Sequence, residues 1–145
     1  MEGMPLLPLP QGLQITHIEK LETGLMIHVL STQPTCLCPL CEALSDAVHS
    51  RYQRSLKDLP YCGQQICLQL TARKFFCQNP QCQRKIFTER LPTFVEPWAQ
   101  MTLRLSQALQ AIGLSTSGSL GARLSLRLGI ATSWMTILRH ILRLP

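Results

Sequence analysis

Apolar residues along the chain keep a period of two as far as the mid-seventies and take a helical period from about residue 97. Residues 1–12, with Pro5, Pro8 and Pro10, predict an irregular arm. Two short apolar runs, Leu13 to Glu19 and Leu25 to Leu30, flank Glu22-Thr23-Gly24 and predict a hairpin. Residues 31–47 interrupt the alternation and predict a loop. Tyr52 to Leu59 predicts an extended segment that ends at Pro60, with a turn at Cys62-Gly63. Gln64 to Phe76 is the clearest strand: Ile66, Leu68, Leu70 and Ala72 share one face, while Gln69, Thr71 and Arg73 share the other.

Glu96-Pro97-Trp98 predicts the start of a helix, because proline is accepted in a first turn. Trp98, Met101, Leu105, Ala108, Leu109 and Ile112 then recur at helical spacing until Gly113 closes the run. After a loop over Ser115 to Gly118, a second helix is predicted from Ser119 to Leu128, with Leu120, Leu124 and Leu128 stacked four apart. Gly129 suits a left-handed position after that helix. Ser133 suits the N-cap of a third, in which Trp134, Ile137, Leu138, Ile141 and Leu142 make the apolar stripe.

Length and composition narrow the class. At 145 residues the chain fits one ordinary domain or two small ones, and 46% hydrophobic content is enough for a packed core. No apolar run approaches the ~20 residues a membrane helix needs. The N-terminus lacks the basic and apolar regions of a secretory signal, so a cytoplasmic protein without membrane contact is expected. In that compartment seven cysteines argue for metal ligation over disulfides.

Cys38-Pro39-Leu40-Cys41 puts two thiolates on one tight turn, and Cys77 to Cys82 supplies a second pair across an Asn79-Pro80 break. Four thiolates in a tetrahedron leave no open position, the mark of a structural rather than a catalytic zinc site. Such an ion adds its binding energy to folding, so a β module with little core can hold together around it. Cys36 rivals Cys38 as a ligand, His49 could replace a cysteine, and a redox dithiol is the alternative for the Cys-x-x-Cys turn. Cys62 and Cys67 read as small turn and strand hydrophobes. The expected fold class is α+β: a zinc-ribbon-like antiparallel β module in residues 1–95, then a three-helix helix-turn-helix module in residues 96–145.

Charge points to a partner. Residues 1–49 hold Lys20 against Glu2, Glu19, Glu22, Glu42 and Asp46, whereas both later regions are basic within a net charge of +6. A polyanion would therefore meet the middle and C-terminal parts. Gly129 followed by a capped helix has the cadence of helix-turn-helix DNA binders. Thr136, Arg139, His140 and Arg143 are predicted on the outer face of the third helix as base or phosphate contacts, with Arg123 and Arg127 on the preceding helix as backbone contacts. A plain helical hairpin packed on another surface is the competing reading. Arg51, Arg54, Arg73 and Lys74 interleave with Tyr52, Phe75 and Phe76, where both phenylalanines are expected in the core. Asp58 reads as a turn or salt-bridge residue.

Cys38-Pro39-Leu40-Cys41 together with Val48 to Pro60, Arg73 to Cys82 and Ile86 to Pro92 resembles the N-terminal region of the ISL-three family of insertion-sequence transposases. Gly121 to Ile130 and Ser133 to Arg139 resemble that family's helix-turn-helix, although Trp134 stands where a small residue or proline is usual. The resemblance implies a zinc-binding domain and a helical DNA-binding domain that recognise terminal inverted repeats. It also implies a nucleoid-associated protein whose partners are duplex DNA at transposon ends and a full-length or split transposase chain, with a homodimer as a further state. Strand transfer needs three separated carboxylates holding two metals, and after residue 92 the only acid is Glu96. The chain, ending at Leu144-Pro145, is therefore expected to be a truncated or split, non-catalytic transposase portion that needs a catalytic partner in trans. A zinc-ribbon interaction module and a transposase-derived DNA-binding regulator are the alternatives.

Overall fold

The computed structural model describes residues 7–116 and 118–143; the expectations for residues 1–6, Ser117, Leu144 and Pro145 lie outside them. Among the described residues seven strands and three helices follow in order: β1 (Leu13–Lys20), β2 (Gly24–Ser31), β3 (Cys36–Leu37), β4 (Leu44–Ser45), β5 (Val48–Tyr61), β6 (Gln64–Phe76), β7 (Ile86–Thr88), α1 (Leu103–Ser115), α2 (Gly118–Leu128) and α3 (Trp134–Leu142). No helix among the described residues is long and apolar enough to cross a membrane.

The β1–β2 and β5–β6 hairpins form where the alternation predicted them. Cys62 and Gly63 both take positive φ, 50° and 76°, the mirror-image turn that matches the twist of the flanking strands. The expected all-antiparallel sheet does not form. The main sheet runs β1-β2-β6-β5 with β7 beside the end of β6, and β2 lies parallel to β6. Connectivity explains this. β2 leaves the sheet into the cysteine loop, β5 returns in the opposite direction, and the tight turn sends β6 back alongside β2. Both β2 and β6 therefore deliver the chain to the same end of the sheet, where the cysteines lie.

Ile66, Leu68, Leu70 and Ala72 of β6 are all buried, packed with Ile27, Val29, Leu56, Phe94 and Val95. Each fully buried aliphatic chain contributes about 1.5–3 kcal/mol. Phe75 is buried as expected, but its neighbour Phe76 points outward, edge-on to His49 at 5.0 Å. One residue along a strand reverses the face, so both could not be core.

The first helix starts later than its apolar spacing suggested. Trp98 has φ 67° and is 88% exposed, outside any helix. Lys57 of β5 explains the delay: its N–H donates to Gln100 O and its carbonyl accepts from Thr102 N, both at 3.0 Å, which holds residues 100–102 extended. Thr102 then caps α1, its hydroxyl accepting from Leu105 N. Gly113 does not end the helix, which continues to Ser115. Its missing side chain instead makes room for α3, since a Cβ there would lie 2.5 Å from Ile141 and 2.6 Å from Ile137.

Asp58 and Glu89 are buried carboxylates that join elements. Asp58 accepts from the Thr102 hydroxyl (2.8 Å), Leu59 N (2.8 Å) and two nitrogens of Arg104, tying β5 to the start of α1. Gly129, at φ 96°, brings the α2–α3 connection against the β5–β6 turn, where a Cβ would meet Gly63 O at 2.5 Å. Glu89 accepts from Ser31 Oγ (2.6 Å), Gln33 Nε2 (2.8 Å), and both the amide and the guanidinium of Arg73 at 3.1 Å.

Candidate metal centre and basic surfaces

The end of β2 and the end of β6 bring the two cysteine pairs together. In the first loop Cys38 N donates to Ala43 O (2.9 Å) and Glu42 N to Cys38 O (2.8 Å), with Glu42 at φ 63° closing the turn. In the second, Cys77 N donates to Lys85 O (2.8 Å), and Asn79 closes the turn with its carbonyl to Cys82 N and its side chain to Gln81 N. The four Sγ atoms of Cys38, Cys41, Cys77 and Cys82 lie within 4.8 Å of one another. Cys38 and Cys82 are 4.0 Å apart, and Cys41 and Cys77 3.5 Å apart. A tetrahedron with Zn–S of ~2.3 Å has edges of about 3.8 Å, so the cluster fits one ion with no position left for substrate.

Electrostatics favour a cation there. The Ala43 amide holds the Cys41 thiol down to about 6, a shift that favours the thiolate form. For Cys77 the Asn79 amide pulls down, but burial and the neighbouring cysteines together push the thiol up to about 12. Burial likewise raises Cys82. Four crowded sulfurs cannot all ionise beside one another unless a cation compensates them; a divalent ion does so. Cys36 is buried next to this cluster, packed with Phe75 and Phe87, but is outside the set of four. Burial also pushes its thiol up, as it does for Cys82, so the distance from the other sulfurs is what sets Cys36 apart.

The arrangement is that of a closed four-thiolate zinc site at one end of a sheet. Residues 34–82 match the family model for the zinc-finger of transposase IS204/IS1001/IS1096/IS1165. This segment is thus similar to the zinc ribbon of those transposases and carries all four of the clustered cysteines, which fits structural zinc binding. The match ends at Cys82, so β7 and the three helices lie beyond it. No curated protein and no solved structure gives a significant match to the chain.

The basic residues separate into two groups. Arg51, Lys74, Arg123, Arg127, Arg139 and Arg143 are exposed. Three others are placed differently from the sequence expectation. Arg73 is committed to Glu89 and to the Gln33 carbonyl. Arg54 donates to Ala99 O and Glu96 O. His140, expected on the outer face of α3, is buried, with Nδ1 2.8 Å from Ser106 Oγ. Burial lowers its pKa, and Arg143 and Arg139 lower it further. The cause is the rotation of α3: Ile137, His140 and Ile141 face α1, leaving Trp134, Leu138 and Leu142 of the expected apolar stripe exposed. Thr136 is half-buried beside the Ser133 cap.

Lys57, which the sequence did not single out, joins Thr136, Arg139 and Arg143 around a cleft of about 540 Å³ between β5 and α3. A second cleft of about 500 Å³ is lined by Tyr52, Arg54, Lys74 and Arg90. Trp98 borders both.

Proposed function

We propose that this chain is the DNA-binding portion of an ISL-three-like transposase and recognises the terminal inverted repeats of its element. The observation that carries the reading is the transposase zinc-finger match together with the four-cysteine cluster, in a protein that exposes cations both within that segment and on the helices beyond it. In this reading zinc fixes the ribbon as a scaffold. α2 and α3 act as a helix-turn-helix, Arg139 and Arg143 contact base edges or phosphates, and Arg123 and Arg127 contact the backbone. Lys57 lines the α3 cleft from β5, so a phosphate seated there meets cations from the sheet and from the helix. Arg51, on the same sheet face as Lys57, extends the contact over the sheet, whereas Lys74 lies on the opposite face. Arg54, Arg73 and His140 stabilise the fold instead.

Catalysis is not part of this proposal. Asp58 is held by Arg104 and Glu89 by Arg73, so neither buried carboxylate is available to hold a metal for strand transfer. That step is assigned to a catalytic domain beyond residues 1–145 or on another chain. The test is fluorescence anisotropy of the zinc-loaded protein on its element's end sequence and on a scrambled duplex, across salt concentrations. The expected result is tighter binding to the end sequence. In the Arg139→Ala/Arg143→Ala variant, the log–log salt slope falls by about 0.9 for each phosphate that the protein no longer neutralises. Equal affinity for both duplexes overturns terminus recognition.

A protein-interaction module is the second reading, favoured by exposed Trp134, Leu138 and Leu142 on one side of α3. A stable dimer in light scattering, without DNA affinity, would select it.

A further inference from the structure

The β1–β2 hairpin carries a cluster that the zinc ribbon does not use. Between Ile15 and His17 the register shifts by one residue: Ile15 pairs with Val29, but His17 pairs with His28. Without this bulge His28 would oppose Thr16. With it, the two imidazoles face each other across the strands, stacked with centroids 3.8 Å apart. Glu19, two residues along β1, shares their face of the hairpin. Its Oε1 lies 2.9 Å from His28 Nε2 and 3.5 Å from His17 Nε2. Bulges that re-aim a side chain recur beside functional sites.

We propose that His17, Glu19 and His28 form a second metal site, open and built of nitrogen and oxygen donors, that takes a borderline divalent ion such as Zn2+ or Ni2+. The donor atoms of all three lie within 4.8 Å of one another. Donors about 2.9–3.5 Å apart subtend about 90–120° at an ion about 2.05 Å away, the range of tetrahedral to octahedral coordination. Two imidazoles with a carboxylate select such ions over Ca2+ or Mg2+, which prefer all-oxygen shells. The stacked rings must turn about χ2 to aim both Nε2 lone pairs at one ion. His17 and Glu19, with side chains 57% and 53% exposed, have room to turn, and His28 keeps 24% of its side chain exposed.

The site differs in kind from the thiolate centre. Three protein donors leave at least one coordination position for water or an outside ligand, whereas four thiolates leave none. It also differs in effect. Among the described residues β1 pairs only with β2 in the sheet, so an ion shared by His17 and His28 staples an edge strand to its neighbour. Such a site is independent of DNA recognition.

The experiment uses the untagged chain, loaded with zinc and dialysed until one tight equivalent remains, then titrated with Zn2+ in a calorimeter. The expected result is one further, weaker equivalent in the original chain. It is absent from His17→Ala/His28→Ala, which keeps the tight equivalent. In 15N NMR spectra the weaker event should shift amides of β1 and β2 and leave residues 36–47 and 76–88 unchanged. No further equivalent in the original chain, or an unchanged event in the double variant, overturns the site.

Discussion

The two ends of this molecule are held by different physics. At the metal end, Phe75 and Phe87 are, among the described residues, the only large apolar side chains in a cluster otherwise made of cysteines. At the helical end, Leu105, Leu109, Ile130 and Ile137 form a hydrocarbon core, closed below by the Asp58–Arg104 pair. Hydrocarbon packing needs only water to drive it, whereas a cluster of thiols gains its cohesion from a cation. One end is therefore expected to lose its order without zinc, and the other to keep it.

Removing the ion tests this contrast most severely. Structural zinc in small domains contributes about 10 kcal/mol or more. Chelation should abolish amide-exchange protection in residues 36–47 and 76–88 while α1 stays protected. Uniform loss across the chain would instead mean that the two ends fold as one unit.

Asp58→Ala reverses the experiment. It strands Arg104 and uncaps the junction of β5 with α1, at a cost of about 3–5 kcal/mol for breaking a buried pair. The melting temperature should fall while tight zinc stoichiometry stays the same. Zinc loss in this variant would show that the metal end leans on the helices.

A smaller effect comes from His140. Its pKa is lowered by burial and then by Arg143 and Arg139, so the folded protein favours the neutral ring. The unfolded chain binds the proton more readily. Stability is thus complete above the ordinary value of 6.5 and declines as pH falls below it toward the folded value. Protection factors of α3 amides, which are rates corrected for the intrinsic pH dependence of exchange, should fall between pH 7 and pH 5 by more in the original protein than in His140→Gln. Comparison at matched pH cancels any acid release of zinc; an equal fall in both would rule out His140 as the source.

The legible features were those with local signals. β6 forms over Gln64–Phe76 because strict alternation and a two-residue turn leave it no other register. The two cysteine pairs were visible because each sits within a few residues of chain. What escaped depends on partners distant in sequence. Arg73 looked free until Glu89, sixteen residues on, was seen to hold it. Trp98 fitted a helical period, but the backbone of Lys57 captures the segment that follows and starts α1 at Leu103. His140 looked outward because Trp134 and Leu138 looked core; the approach of α3 at Gly113 turned the helix the other way. The parallel β2–β6 pair arose from a loop that has no strand pattern of its own.

The central claim, that zinc is held by Cys38, Cys41, Cys77 and Cys82, is tested by the metal content of single Cys→Ser variants after dialysis against a weak chelator. Each of these four substitutions should remove the tight zinc, and Cys36→Ser should keep it. Zinc lost with Cys36→Ser but retained with Cys38→Ser would contradict the assignment.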